Sequence, residues 1–124
     1  MTILIVDDSE IQIAVMTGLI ETEFGESAVP FEDPVMALAW CRRNVPELVL
    51  VDYNMPRLTG NEFIRVFRAT SGMLDIPVIM VTSETDPEIR RNAFRLGAAA
   101  FLSKPIVANE FISQLRSLLP AHSA

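Results

Sequence analysis

This sequence has one cysteine, one histidine and no long apolar run, and each shortage removes a class of function. Only Cys41 carries a thiol, so no internal disulfide can form. A reducing, cytoplasmic setting is the expectation. No apolar stretch approaches the roughly 18 residues of a membrane span, so no membrane association is expected. The residues after Met1 lead straight into a strand pattern, without the basic region and cleavage site of a signal peptide. Positive charge is scarce. The formal net charge of −6 argues against a nucleic-acid-binding surface. The lone His122 lies in a small polar tail, where solvation is the simpler expectation than catalysis.

What is present is an ordinary globular composition. Of the 124 residues, 50% are apolar and 21% charged, which suits a folded domain with its own core. One domain, 1–124, is expected, with a core over about 2–119 and a tail over 120–124. Ile3 to Val6, Ser27 to Phe31, Leu48 to Val51, Pro77 to Val81 and Ala98 to Leu102 read as short strands. Helices fit between them. Ser9 stands three residues before Gln12, and Thr59 three before Glu62, at capping-box spacing. Asp33-Pro34 and Asp86-Pro87 each read as a cap followed by a first helical residue. Ile11, Val15 and Leu19 recur at helical period, Phe63, Val66 and Phe67 share a helical face, and Ile89, Ala93, Phe94 and Leu96 precede a stop at Gly97. Phe111, Leu115 and Leu118 lie at helical spacing within Val107 to Leu119. Strand and helix alternate five times. Buried apolar strands in that alternation predict a parallel sheet covered by helices on both faces.

In such sheets ligands bind at the carboxyl ends of the strands. Asp7 and Asp8 follow the first strand, Asp52 ends "LVLVD", Thr82 and Ser83 end the fourth, and Lys104-Pro105 follows the fifth. Three carboxylates on one edge repel each other unless a cation is present. An all-oxygen set without His or Cys suits a hard cation such as Mg²⁺. With a lysine and a hydroxyl added, the edge can hold a phosphoryl group, and a carboxylate can itself be the nucleophile.

These residues in this order resemble a response-regulator receiver domain, close to the chemotaxis regulator in organisation. The resemblance runs from Thr2 to about Leu119 and includes Asp7-Asp8, Asp52 in "VDYNMP", Gly60, Thr82 and Lys104-Pro105. It implies a flavodoxin-like doubly wound (βα)5 sandwich, strand order 2-1-3-4-5. It further implies that Asp52 accepts a phosphoryl group from a sensor histidine kinase or phosphotransfer protein, with Mg²⁺ held by Asp8, Asp52 and the Asn54 carbonyl and by Asp7 through water. Lys104 would pair with the phosphoryl oxygens, and Lys104-Pro105 would be a cis peptide. Thr82 and Phe101 would switch a surface built from the fourth helix, fifth strand and fifth helix, roughly Pro87 to Leu119. Phe101 lacks the hydroxyl of the tyrosine often found there. Asn54 and Glu84 would tune the access of water, giving a short-lived phosphorylated state.

The expected partner of the switched surface is a downstream protein, a fused output domain or a second copy in a phosphorylation-dependent homodimer. The stretch "FEDPVMALAWCRRNVPELVLVDYNMP" is similar to receivers fused to cyclic-di-GMP phosphodiesterases of the HD-GYP type, so the chain is read as stand-alone or as part of a longer regulator. Other readings compete. A haloacid-dehalogenase-type enzyme requires an acid two residues after the nucleophile, where this chain has Asn54. A flavodoxin-like flavin carrier requires an amide-rich phosphate loop where this chain has Asp7-Asp8. A receiver that only binds partners would not need the full acid, threonine and lysine set. Arg42-Arg43 and Arg90-Arg91 read as solvated faces, and Cys41 and Trp40 as packing.

Overall fold

The computed structural model describes residues 2–70 and 72–119; the tail over 120–124, with His122, lies outside the described residues. Ten elements alternate: β1 (Thr2–Val6), α1 (Glu10–Phe24), β2 (Ser27–Phe31), α2 (Pro34–Cys41), β3 (Leu48–Val51), α3 (Gly60–Ala69), β4 (Val78–Thr82), α4 (Pro87–Arg95), β5 (Ala100–Ser103) and α5 (Ala108–Leu118). The strands form one parallel sheet in the order β2-β1-β3-β4-β5. The alternation predicts the parallel sheet, and the flavodoxin-like order is the one the family resemblance implies.

The three central strands β1, β3 and β4 carry unbroken buried runs because both faces are covered, and alternation sorts each run by parity. Leu4, Val6, Val49, Val51, Val78 and Met80 face one way and pack with Ala37, Cys41, Phe63, Ile64, Phe67 and Ala93 from α2, α3 and α4. Ile3, Ile5, Leu48, Leu50, Ile79 and Val81 face the other way, onto Met16, Ile20, Phe111 and Leu115 of α1 and α5. Burying one such aliphatic side chain stabilises the fold by about 1.5–3 kcal/mol. Pro30 sits in β2, at the edge of the sheet, where a missing N–H costs least.

Local signals set the helix ends. Ser9 accepts from the Gln12 amide, and Asp33 and Asp86 cap α2 and α4 ahead of their prolines. Thr59 and Glu62 form a complete capping box on α3. α4 ends in a Schellman motif: Gly97, at φ 106°, donates to Phe94, and Ala98 donates to Ala93.

The Schellman motif corrects one expectation. The Ala98 N–H is used to close α4, so β5 begins at Ala100 rather than at Ala98. β4 likewise runs from Val78 through Thr82, one residue later than expected, because Pro77 has no N–H for the ladder. Two helical faces also differ. α1 buries Met16 and Ile20 and leaves Ile11 and Val15 exposed, and α3 buries Ile64 rather than Val66. Helical period alone permits either row; contact with the sheet selects one. Among the described residues no helix is long and apolar enough to cross a membrane.

Candidate functional site

Three parallel strands hand their next residue to the same edge, and a neighbouring strand holds each backbone. Asp7 donates its N–H to the Phe31 carbonyl at 3.1 Å, Asp52 to Val6 at 3.0 Å, and Lys104 to Thr82 at 3.0 Å. The ladder thus continues one residue past each strand. It fixes the backbones that carry two carboxylates and the ammonium.

The side chains then converge. Lys104 Nζ lies 2.8 Å from Asp7 Oδ2 and 2.8 Å from Asp52 Oδ2. Asp7 Oδ1 accepts from the Ser9 amide at 2.9 Å, and Asp52 Oδ1 from the Tyr53 amide at 2.6 Å. Asp7 and Asp52 are buried, whereas Asp8 is exposed at the mouth. One carboxylate oxygen from each of Asp7, Asp8 and Asp52 lies within 4.8 Å of the others. That cluster is able to hold a metal ion, and its all-oxygen donors suit a hard cation.

The electrostatics point the same way. Burial pushes the Asp7 carboxyl above its ordinary 3.8, although hydrogen bonds from Lys104 and Ser9 pull it down. Burial by itself lowers the Lys104 ammonium, but hydrogen bonds and charges from Asp52 and Asp7 outweigh it, and the net shift is upward. The cluster thus holds three carboxylates and one ammonium, which pairs with two of them. The site has an excess of negative charge that a cation relieves.

The remaining expected residues fall around this centre. Thr82 is buried at the end of β4, and its hydroxyl accepts from the Glu84 amide at 3.3 Å. Glu84 Oε2 accepts from Asn54 Nδ2 at 2.7 Å, joining the loops after β3 and β4. Ser83 is exposed, and the Lys104-Pro105 peptide is cis. Phe101 lies on β5, half-buried. Its ring lies beneath Arg90, whose guanidinium carbon is 5.4 Å from the ring centroid.

Sequence reasoning missed several supports. Arg90 reads as a solvated charge, and it is exposed, but it also covers two rings. Arg57 stands at φ 74° in a three-residue turn closed by the Leu58 amide on the Pro56 carbonyl, 2.9 Å away. Its side chain reaches Asp33 at 3.5 Å, tying the loop after β3 to the start of α2. No spacing rule signals a contact between such distant positions.

Residues 3–116 match the family described as Response regulator receiver domain. The cyclic di-GMP phosphodiesterase response regulator RpfG of Xanthomonas campestris is 38% identical over 120 residues, covering 96% of this chain and 32% of that protein. The response regulator UvrY of Escherichia coli is 34% identical over 121 residues, covering 94% of this chain and 53% of that protein. The chain therefore spans about a third to a half of the length of these curated relatives. Among solved structures, chemotaxis protein CheY4 of Vibrio cholerae superposes with a TM-score of 0.87 at 29% identity, covering 95% of this chain and 98% of that one.

Proposed function

The chain belongs to the response regulator receiver domain family, whose members are signalling switches rather than classical enzymes, and from that premise we propose that Asp52 is its phosphoacceptor. The observation that carries this reading is the meeting of Asp7, Asp8, Asp52 and Lys104 at one sheet edge. A carboxylate oxygen of Asp52 attacks the phosphorus of a phosphohistidine on a sensor histidine kinase or phosphotransfer protein. A P–O bond forms, the P–N bond breaks, and the imidazole leaves with the electron pair and takes up a proton.

Mg²⁺ would be held by the carboxylates of Asp8 and Asp52 and the Asn54 carbonyl, with Asp7 acting through water. When bound, it supplies positive charge against the phosphoryl oxygens. Lys104 moves from its carboxylate partners to a phosphoryl oxygen. Thr82 turns its hydroxyl toward the group, and the Phe101 ring moves inward. These local changes bias the surface of α4, β5 and α5. The hydrogen-bonded Asn54–Glu84 pair tunes the access of water, and its polarity supports a short-lived phosphorylated state.

Residues 1–124 act as one receiver domain in a cytoplasmic setting, without contact to membrane or nucleic acid. The chain is stand-alone or the receiver of a longer regulator with a cyclic-di-GMP phosphodiesterase output. The coverage of RpfG, whose name carries that activity, supports the second form. The switched surface serves a downstream protein, a fused output domain or a second copy in a phosphorylation-dependent dimer.

Intact mass after incubation with acetyl phosphate and Mg²⁺ tests the reading. One added phosphoryl group is expected, absent from Asp52→Ala and from metal-free samples. An equal gain in Asp52→Ala refutes the assignment. No gain in the wild type, either from acetyl phosphate or from a panel of phosphorylated histidine kinases, refutes the phosphoacceptor role.

A further inference from the structure

Phe101 pairs with Met80 in the β4–β5 register and lies on the sheet face that packs α2, α3 and α4. Its ring has no hydroxyl, so no hydrogen bond can hold it in one orientation. The cation of Arg90, on α4, supplies a different hold. Its guanidinium carbon stands 5.4 Å from the Phe101 centroid and 5.8 Å from that of Phe94, bridging a ring on its own helix to one on β5. Beside this contact lies a groove of about 360 Å³, lined by Glu84, Thr85, Asp86, Pro87, Arg90, Phe101 and Ser103. The ring therefore has open space on the side of the loop that follows Thr82.

We propose that Arg90 is a positioning residue of the switch, holding the Phe101 ring outward through its π-face in the unphosphorylated state. This rests on the reading of Phe101 as the switching ring. A guanidinium is attracted by the negative face of a ring. A ring that moves inward leaves that cation behind. The contact exists in one of two states and so shifts their populations. An exposed cation–π contact is modest, enough to change the ratio about threefold.

Binding of beryllofluoride with Mg²⁺, a phosphoryl mimic, reads this ratio in the intact chain. Arg90→Gln is expected to tighten beryllofluoride binding about threefold. It also moves the unliganded amide resonances of Thr82 and Phe101 toward their loaded positions. Arg90→Lys keeps a cation and stays near the wild type. In a Phe101→Leu background, which keeps bulk but removes the ring, Arg90→Gln has no further effect. An unchanged affinity and spectrum in Arg90→Gln overturns the proposal. So does a tightening that persists undiminished with Phe101→Leu. A wild-type chain that binds no beryllofluoride refutes the phosphoacceptor reading, and this proposal with it. Normal wild-type binding without a response to Arg90→Gln refutes the proposal alone.

Discussion

Gly60 sits directly beneath Asp52: a Cβ placed on Gly60 would lie 2.4 Å from the Asp52 carbonyl oxygen. It would also lie 2.9 Å from Tyr53 Cα, and the Gly60 amide donates to the Tyr53 carbonyl at 2.8 Å. The first residue of α3 thus braces the backbone that carries the candidate nucleophile. Because the opposing atoms are backbone, they have little freedom to move aside. Gly60→Ala is expected to cost about 1–3 kcal/mol of stability and to weaken Mg²⁺ binding. Urea unfolding and a Mg²⁺ titration check both. A variant with wild-type midpoint and wild-type metal affinity would show that the contact relaxes at no cost.

Lys104 compensates two buried carboxylates at once. Lys104→Met leaves Asp7 and Asp52 facing each other without a counter-charge. Removing one member of a buried ion pair typically costs about 3–5 kcal/mol, and the fraction at this site that faces solvent brings the expected loss toward the lower end. The same excess of negative charge should tighten Mg²⁺ binding, so added Mg²⁺ should raise the melting temperature more in the variant than in the wild type. Calorimetry with and without the metal measures this. Equal gains in the two proteins would contradict it.

Arg68 holds together three segments far from the site. Its guanidinium donates to the carbonyls of Met73 at 2.7 Å, Ile76 at 2.6 Å and Gly97 at 2.7 Å. These are carbonyls that no strand or helix ladder satisfies. Arg68→Gln is expected to destabilise the fold by about 1–3 kcal/mol. Amide exchange should rise in the segment from Met73 to Ile76 and at Gly97, and stay unchanged at Asp7. Faster exchange spread evenly over the sheet would argue against this local role.

The capping box of α3 makes a pH prediction. Hydrogen bonds from the Thr59 backbone and side chain hold the Glu62 carboxyl below its ordinary 4.5. A carboxyl depressed in the folded state stabilises it above its unfolded value. That contribution fades as pH falls through the lower folded value. Glu62→Gln should therefore lose stability against the wild type at pH 7, and the difference should close as the pH falls through the depressed folded value of Glu62. Urea midpoints across that range decide it. A difference that stays constant with pH would place the effect in packing instead of charge.

Much of this molecule was legible in its residues. The unbroken apolar runs at Ile3 to Val6 and Leu48 to Val51 announced strands covered on both faces, and Thr59 with Glu62 announced a helix start. The order of Asp7, Asp8, Asp52 and Lys104 pointed to one edge, because parallel strands must end on the same side. Less legible was which helical row turns inward. Ile11 and Val15 fit the period as well as Met16 and Ile20, yet only the latter meet the sheet. The role of Arg90 was also hidden, since an exposed arginine and an arginine lying over a ring have the same local sequence.

What the sequence determined by itself is what short-range physics controls: strands from apolar runs, helix starts from side chains that cap them, and the residue type delivered by each strand end. Tertiary structure decided what depends on a second segment. Lys104 meets Asp52 across 52 positions at 2.8 Å, Asn54 meets Glu84, and the Arg90 cation covers Phe101. Such pairs form because the sheet brings distant backbones within about 5 Å of each other, and no periodicity along the chain encodes that distance.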